Sequence, residues 1–315
     1  MLGGPCAEEE KAPFREVEPE DNEIGVMDAD TLNFMVYREA TYAADAMYFQ
    51  RGLHPEITWM MRAILFDWMM EVATEFSLKR ETYCYATNYL DRFLSTKANV
   101  RKAELQLVGV SALFLAAKME EVYCPKVADF AKSTDNGYSS EQIVAMEQLI
   151  AKQLQFLLTP PTLCTWTNWY MGQWDVYLET NEFAILHPLV SRLRAQRSDA
   201  EGEAAAPLRF KSQNELAYAR FREVFQVLDA MTLDVQYLQY RPRALVASTL
   251  YLVLGMHAGA FEQEEVAASF TRSSAGFLDG EAEEKEAFND LFIDFLFLSF
   301  GFNLAELAPT VMYAS

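Results

Sequence analysis

The side chains that most often ligate metals or act as nucleophiles are scarce in this chain of 315 residues. The histidines and cysteines are His54, His187, His257, Cys6, Cys84, Cys124 and Cys164. The histidines lie too far apart to share a helix face, and the cysteines form no Cys-x-x-Cys pair. Neither a structural zinc site nor a disulfide framework is therefore expected. The sequence predicts no metal and no cofactor, and it favours a reduced, intracellular protein.

The second notable feature of the sequence is a pair of charged residues placed among apolar ones. Residues 61–68 read Met-Arg-Ala-Ile-Leu-Phe-Asp-Trp, a helical pattern that is apolar on nearly every side except at Arg62 and Asp67. A helix of that kind is normally surrounded by other helices. Since an unpaired charge is costly to bury, the octet predicts a central helix around which specific partners are arranged.

The overall composition excludes several classes of protein. Hydrophobic residues make up 51% of the chain, which is typical of a folded protein. The formal net charge is −20, whereas a protein that binds nucleic acid needs basic patches. The apolar stretches near 244–256 and 291–302 are too short or too interrupted for a membrane span, and no signal peptide is recognisable. We therefore expect a soluble protein that binds neither nucleic acid nor membranes.

The elements that position these residues are predicted to be helices in two successive bundles. A disordered acidic tail (1–27) and an amphipathic N-terminal helix (28–54) come first. The first bundle, residues 55–159, has helical segments near 58–77, 81–96, 102–121, 125–133 and 140–156. The second bundle, residues 160–305, has segments near 162–178, 183–195, 214–231, 242–258, 262–271 and 285–300. A flexible insertion is expected at 196–213, and a short tail at 306–315.

Several motifs in these bundles resemble those of the cyclin family. They are Met61-Arg-Ala-Ile-Leu-Phe-Asp-Trp-Met-Met-Glu-Val72, Asp91-Arg-Phe93, Leu105-Gln-Leu-Val-Gly109, Ala116-Ala-Lys-Met-Glu-Glu-Val-Tyr123, Met146-Glu147, Leu228-Asp-Ala-Met-Thr-Leu-Asp-Val235 and Arg243-Ala-Leu-Val-Ala-Ser-Thr-Leu-Tyr251. Among cyclins the resemblance is strongest to the E type. It implies an all-α fold of two tandem five-helix cyclin boxes, preceded by an N-terminal helix.

The resemblance implies a regulatory subunit without catalytic residues of its own. Such a protein forms a heterodimer with a cyclin-dependent serine/threonine kinase, activates it and recruits substrates and inhibitors that carry an Arg-x-Leu sequence. The implied process is cell division at the G1/S transition, in the nucleus and cytoplasm. Trp166–Met171 also resembles a centrosome-localisation segment, although helix core is the preferred interpretation. The alternatives are an A- or B-type mitotic cyclin and a cyclin-fold transcription factor like factor IIB, which the acidic net charge disfavours.

The resemblance also assigns roles to individual residues. A structural ion pair is implied between Arg62 and Asp91. The implied contacts to the kinase are Lys118, Met119, Glu147, Ala151, Phe156 and Leu158. The implied substrate-docking groove consists of Met61, Ile64, Leu65, Trp68, Glu71, Leu105 and Gln106. In this groove an apolar surface takes the leucine of the peptide and Glu71 pairs with its arginine. The alternative interpretation of the apolar stripe is ordinary core.

Overall fold

The computed structural model describes residues 29–180 and 219–257 and the single residues 295, 307, 309, 310 and 313. Within these residues it is all-helical, which confirms the predicted fold class. The helices are α1 (Ala29–Thr41), α2 (Trp59–Glu75), α3 (Arg80–Thr96), α4 (Leu105–Glu120), α5 (Val127–Ser133), α6 (Ser140–Gln153), α7 (Leu163–Thr180), α8 (Ala219–Leu233) and α9 (Pro242–His257). None of them is both long enough and apolar enough to span a membrane.

The five helices of the predicted first bundle are all present as α2 to α6. Three segments of the second bundle appear as α7, α8 and α9. The predicted helices at 183–195 and 262–271, most of that at 285–300, the insertion at 196–213 and the tail at 1–27 lie outside the described residues. The predicted C-terminal tail is packed where it is described: Leu307 is buried, and Ser248 of α9 donates a hydrogen bond of 2.6 Å to Thr310.

The centre of the first bundle is α4, which carries no charge over its first thirteen residues. All of its residues from Leu107 to Ala117 are buried, and the helix packs against α2, α3, α5 and α6. Gly109 allows the closest of these approaches, because a Cβ atom built there would lie 2.8 Å from Cδ1 of Leu65. A small residue is therefore required where α4 crosses α2.

The predicted N-terminal helix is too long in the sequence analysis, because α1 ends at Thr41. The backbone carbonyl of Tyr42 accepts a hydrogen bond of 3.2 Å from the side chain of Asn88 on α3. Asp45 then caps a turn by accepting from the amide of Met47 at 3.0 Å. The turns that follow place Tyr48 in the core, fully buried. A continuous amphipathic pattern could not reveal that this tyrosine has to reach a partner inside the bundle.

The predicted end of α6 is also wrong, because the helix stops at Gln153 and not at 156. Gln155 and Phe156 have φ angles of 53° and 58°, and the amide of Phe156 closes the end by donating to the carbonyl of Ala151 at 2.9 Å. This left-handed ending resembles the closure that glycine usually provides. The predicted start of α6 is confirmed, since Ser139 and Gln142 form a capping box.

A polar seam joins the two bundles. Arg80 on α3 donates to Asp229 on α8 at 2.5 and 2.6 Å. Glu81 on α3 accepts from the hydroxyl groups of Thr162 and Thr165 at the start of α7. Each bundle has its own hydrophobic core, and Cys84 and Leu238 pack against both cores beside these polar bonds.

Candidate functional site

The charged centre of the octet is a buried ion pair between α2 and α3. Arg62 and Asp91 are both fully buried, and the guanidinium donates from Nε and Nη2 to the two carboxylate oxygens at 2.7 Å each. This is the bidentate geometry that gives an arginine–carboxylate pair its strength and orientation. Asp67, the other charge of the octet, is exposed. The two charges of the octet therefore have different environments.

The ion pair is the centre of a larger network. Asp91 also accepts from the hydroxyls of Tyr48 at 3.0 Å and Tyr237 at 2.9 Å, while Arg62 donates from Nη1 to the carbonyl of Thr232 at 2.7 Å. The guanidinium carbon lies 3.9 Å from the ring centre of Phe66. Neither the two tyrosines nor the carbonyl could be predicted from the sequence, because they are distant in sequence and no local pattern marks them.

Burial and charge act together on the ionisation of this network. Burial alone disfavours the charged form of Arg62, but the adjacent Asp91 carboxylate holds the pKa of the guanidinium above its usual value. Burial, followed by the Asp91 charge, raises the pKa of the Tyr48 and Tyr237 hydroxyls. Both tyrosines therefore remain protonated donors at neutral pH. The network is structural and offers no group that could exchange a proton with a substrate.

A second ion pair lies where α4 ends against α6. Lys118 donates to the carboxylate of Glu147, and its ammonium lies 4.7 Å from the ring centre of Phe114. The Lys118 side chain is partly exposed whereas Glu147 is buried. Met119, the next residue on α4, is exposed. The structure thus brings together two of the residues that the sequence analysis assigned to the kinase contact, with a third beside them.

The remaining residues assigned to the kinase contact separate into surface and core. The Phe156 side chain is 69% exposed, on the left-handed turn after α6. Leu158 is only 6% exposed and Ala151 is buried, so their side chains belong to the bundle core and present no surface of their own. Val122 and Tyr123, just after α4, are exposed to 81% and 92% and were not singled out from the sequence.

The backbone after α6 is held by side chains from α1 and α3. Arg92 donates to the carbonyl of Leu157 at 2.8 Å, and the Tyr89 hydroxyl donates to the carbonyl of Leu158. Arg38 of α1 donates to both the carbonyl and the hydroxyl of Thr159. These contacts fix the turn that carries Phe156, which explains how a bulky residue stays in a left-handed conformation.

The apolar stripe on α2 also divides into core and surface. Leu65 is 6% exposed and Leu105 is buried, so for these two residues of the predicted groove the structure favours the alternative interpretation as core. Ile64 is 63% exposed and Glu71 is exposed, while Met61, Trp68 and Gln106 are half-buried. The first turn of α2 adds two exposed residues that were not predicted, Trp59 and Met60. Met61, Ile64 and Trp68 therefore form an apolar surface, and the core residues Leu65 and Leu105 lie beneath it.

The described residues hold no cluster of three or more histidine, cysteine, aspartate or glutamate side chains that could bind a metal ion. The functional surfaces of this part of the chain are instead the α4–α6 surface (Lys118, Met119, Glu147 and Phe156) and the α2 surface (Met61, Ile64, Trp68 and Glu71). Neither surface resembles a catalytic centre, because no general acid, base or nucleophile is placed beside a partner in a cleft.

A solved structure shares this architecture. The chain is similar to the X-ray structure of a viral cyclin from herpesvirus saimiri, with a TM-score of 0.52 at 16% sequence identity. The similarity covers 87% of this chain and 99% of the viral protein. At that identity the comparison establishes a shared fold.

Sequence comparisons extend the relationship beyond the fold. The chain is 37% identical over 222 residues to the G1/S-specific cyclin-E1 of Gallus gallus, covering 70% of this chain and 47% of that protein. It is 47% identical over 125 residues to cyclin-A2 of Xenopus laevis, covering 40% of this chain and 29% of that protein. The chain thus spans about half the length of the cyclin E1 protein that it matches. Residues 30–159 match the family model described as the cyclin N-terminal domain, and the chain belongs to the cyclin family.

Proposed function

We propose that this cyclin is the regulatory subunit of a cyclin-dependent serine/threonine kinase and acts at the G1/S transition. The α4–α6 surface carries the proposal. It combines a partly exposed lysine, Lys118, with two exposed apolar side chains, Met119 and Phe156. Apolar anchors surrounding a polar pair are typical of the centre of a protein interface. The proposed role needs no catalytic residue in the cyclin itself.

Activation by such a subunit is a matter of differential binding. A cyclin that binds the active arrangement of the kinase more tightly than the inactive one shifts the kinase population toward activity. In the active arrangement the kinase lysine–glutamate pair is formed and its mobile helix is in place. On this proposal Lys118 and Glu147 hydrogen-bond backbone groups of the kinase near that helix, and Phe156 packs beside it.

The test is activation of a panel of purified cyclin-dependent kinases by the full chain and by variants. We expect Lys118→Ala with Glu147→Ala to lower activation at least about tenfold, the effect of losing roughly 1.4 kcal/mol of binding free energy. Lys152→Ala, which removes an exposed lysine from the same helix α6, is the matched control. Thermal unfolding checks that each variant is folded. Unchanged binding and activation by the double variant would remove the interface assignment.

We further propose that the α2 surface selects substrates and inhibitors with an Arg-x-Leu sequence. Ile64 and the half-buried Met61 and Trp68 offer an apolar surface to the leucine, and the exposed Glu71 offers a carboxylate to the arginine. Exposed apolar side chains grouped on one helix face are a recognised mark of interaction sites.

Peptide binding tests the docking proposal directly. Glu71→Gln should weaken binding of an Arg-x-Leu peptide, and Glu75→Gln, one turn further along α2 and also exposed, should not. The loss caused by Glu71→Gln should disappear when the arginine of the peptide is replaced by alanine. Trp68→Ala should weaken phosphorylation of substrates that carry the motif and leave the other substrates unaffected. Equal effects on both substrate classes would contradict the groove.

An A-type cyclin is the second candidate, because cyclin-A2 of Xenopus laevis matches at 47% identity over a shorter stretch. The time of accumulation separates the two: an E-type role requires a peak at the G1/S transition, and an A-type role requires persistence beyond it. We also propose location in the nucleus and cytoplasm, which imaging of the tagged chain tests. The predicted centrosome segment has Trp166, Tyr170 and Met171 buried, which favours its interpretation as core.

A further inference from the structure

Two cysteines face each other across the seam between the bundles. Cys84 of α3 and Cys164 of α7 line the same cavity of about 50 Å³, together with Thr162, Leu228 and Asp229. Cys164 is buried, whereas Cys84 is partly exposed, and both are free thiols. A cavity of this volume has room for more than one molecule the size of water. The cavity therefore has room for a small polar oxidant beside the two cysteines.

The difference in exposure between the two thiols favours reaction at Cys84 first. Arg80 lies one helical turn before Cys84, and its charge acts on both thiols. Arg80 is itself paired with Asp229, which lines the same cavity. The neighbouring Cys84 thiol, and then burial, raise the pKa of the Cys164 thiol, so Cys164 remains protonated. Cys84 therefore offers the more accessible sulfur, and Cys164 lies buried across the same cavity.

A proton acceptor is also present at this place. Glu81, which precedes Cys84 by three residues on α3, accepts hydrogen bonds from Thr162 and Thr165 and interacts with the Cys164 thiol. Burial raises the pKa of the Glu81 carboxyl, which makes its carboxylate a stronger base. The seam thus places two thiols in the wall of one cavity, with the Glu81 carboxyl beside Cys164, and the proposed kinase role uses neither thiol.

We propose that Cys84 and Cys164 form a reversible disulfide when the protein meets hydrogen peroxide. The Cys84 thiolate attacks the peroxide, the O–O bond breaks, and sulfenic acid forms at Cys84 with release of hydroxide. The Cys164 sulfur then attacks that sulfenic sulfur and the S–O bond breaks, while Glu81 accepts the Cys164 proton and passes it to the departing hydroxide, which leaves as water. Overall, two thiols are oxidised to a disulfide and one peroxide is reduced to two waters. The bond fastens α3 of the first bundle to α7 of the second.

The inference is independent of the proposed kinase role, because it concerns only the chemistry at the seam. A reversible disulfide is also compatible with a reduced compartment, where disulfides that do form are usually transient and redox-sensing. Cys124 provides an internal comparison. It is a partly exposed thiol at another place in the first bundle, and it is not among the residues that line this cavity.

The test is to expose the full chain to a small excess of hydrogen peroxide, block the remaining thiols in denaturant and identify linked peptides by mass spectrometry. We expect one dominant linkage, Cys84 to Cys164, within a single chain, and we expect dithiothreitol to split it. Cys84→Ser should abolish the linkage, and the matched variant Cys124→Ser should leave it intact. Cys164→Ala should leave a sulfenic acid at Cys84 that dimedone traps.

Three results would overturn the proposal. The first is oxidation of Cys84 to sulfinic acid in the wild-type chain while Cys164 stays free. The second is a dominant linkage through Cys6 or Cys124. The third is a Cys84 linkage that joins two chains, seen as a dimer on a non-reducing gel. Each of these results is read on the folded wild-type chain, so none depends on whether a variant folds.

Discussion

At the scale of single residues, the molecule is organised around one fully satisfied carboxylate. Asp91 accepts two hydrogen bonds from Arg62 and one each from Tyr48 and Tyr237, which uses the acceptor positions that a carboxylate has. Its partners come from α2, from the segment before α2 and from the turn after α8. A buried charge of this kind is tolerated only while every partner is present. The network therefore specifies how these segments meet.

Asp91→Asn should lower the free energy of unfolding by about 3–5 kcal/mol, because it leaves the Arg62 guanidinium buried without a counter-charge. Asp129→Asn is the matched control. It removes the same charge from an exposed pair with Lys132 on α5, where a loss of about 0–1 kcal/mol is expected. Urea unfolding followed by circular dichroism measures both values. Similar losses in the two variants would show that the buried network contributes no more than a surface pair.

Glu81 gives a prediction about pH. Burial raises the pKa of this carboxyl above its ordinary value of 4.5, so the folded protein holds its proton more tightly than the unfolded chain does. The stability that Glu81 contributes is fully present below the unfolded pKa and is lost as the pH rises through the folded pKa. Wild type should therefore lose stability relative to Glu81→Gln as the pH increases.

Urea unfolding of both proteins between about pH 4 and about pH 8 measures this difference, over the range in which shifted carboxyl groups titrate. Glu75→Gln, at the exposed end of α2, corrects for the general effect of removing one negative charge. A difference between wild type and Glu81→Gln that stays constant or grows in favour of wild type with pH would contradict the assignment.

At the scale of elements, the packing of α4 against α2 limits what the central helix can contain. The Cβ atom of an alanine at position 109 would lie 2.8 Å from Cδ1 and 3.1 Å from Cγ of Leu65. Leu65 is itself buried, with core on its other side. The two helices must therefore separate or Leu65 must leave its preferred rotamer. Separation of the helices would displace the α2 surface proposed to dock peptides, and a new Leu65 rotamer would change the packing beneath that surface.

Gly109→Ala should destabilise the fold by about 1–3 kcal/mol, the usual cost of overpacking. Ser111→Ala, two residues along the same helix and also buried, should change stability by no more than about 1 kcal/mol, because its hydroxyl has no hydrogen-bond partner among the described residues. Chemical denaturation gives both values. The loss of stability in the double variant of Gly109→Ala and Leu65→Ala should be smaller than the sum of the two single losses. A loss equal to that sum would contradict a direct clash.

The elements were more predictable from the sequence than their ends and contacts. The charge-free run of α4 and the Ser139 capping signal are local patterns, and both predicted the structure correctly. The end of α1 depends on Asn88 and on Tyr48 reaching Asp91, which are tertiary contacts. The exposure of Ile64 and the burial of Leu65 could not be told apart either, because a helix that is apolar on every side has no periodic signal that shows which face meets the core.

At the scale of the whole molecule, two hydrophobic cores are joined by polar contacts and by the residues Cys84 and Leu238, which pack against both cores. One cluster contains buried residues of α2, α3 and α4, and the other contains those of α7, α8 and α9. Between them lie the bond from Arg62 to the Thr232 carbonyl at 2.7 Å, the Tyr237 bond to Asp91 at 2.9 Å and the Arg80 pair with Asp229. Each of these contacts needs both bundles in place, so each couples the folding of one to the other.

We therefore expect the two bundles of the wild-type chain to unfold together, with amides of α3 and α9 losing hydrogen-exchange protection at the same urea concentration. Combining Arg80→Ala with Tyr237→Phe removes two of the coupling contacts without enlarging either side chain. In that variant α9 should lose protection at a lower urea concentration than α3. Lys132→Ala, which breaks an exposed pair within the first bundle, should leave the two transitions coincident. Separate transitions in the wild type, or coincident ones in the double variant, would show that the polar seam does not couple the bundles.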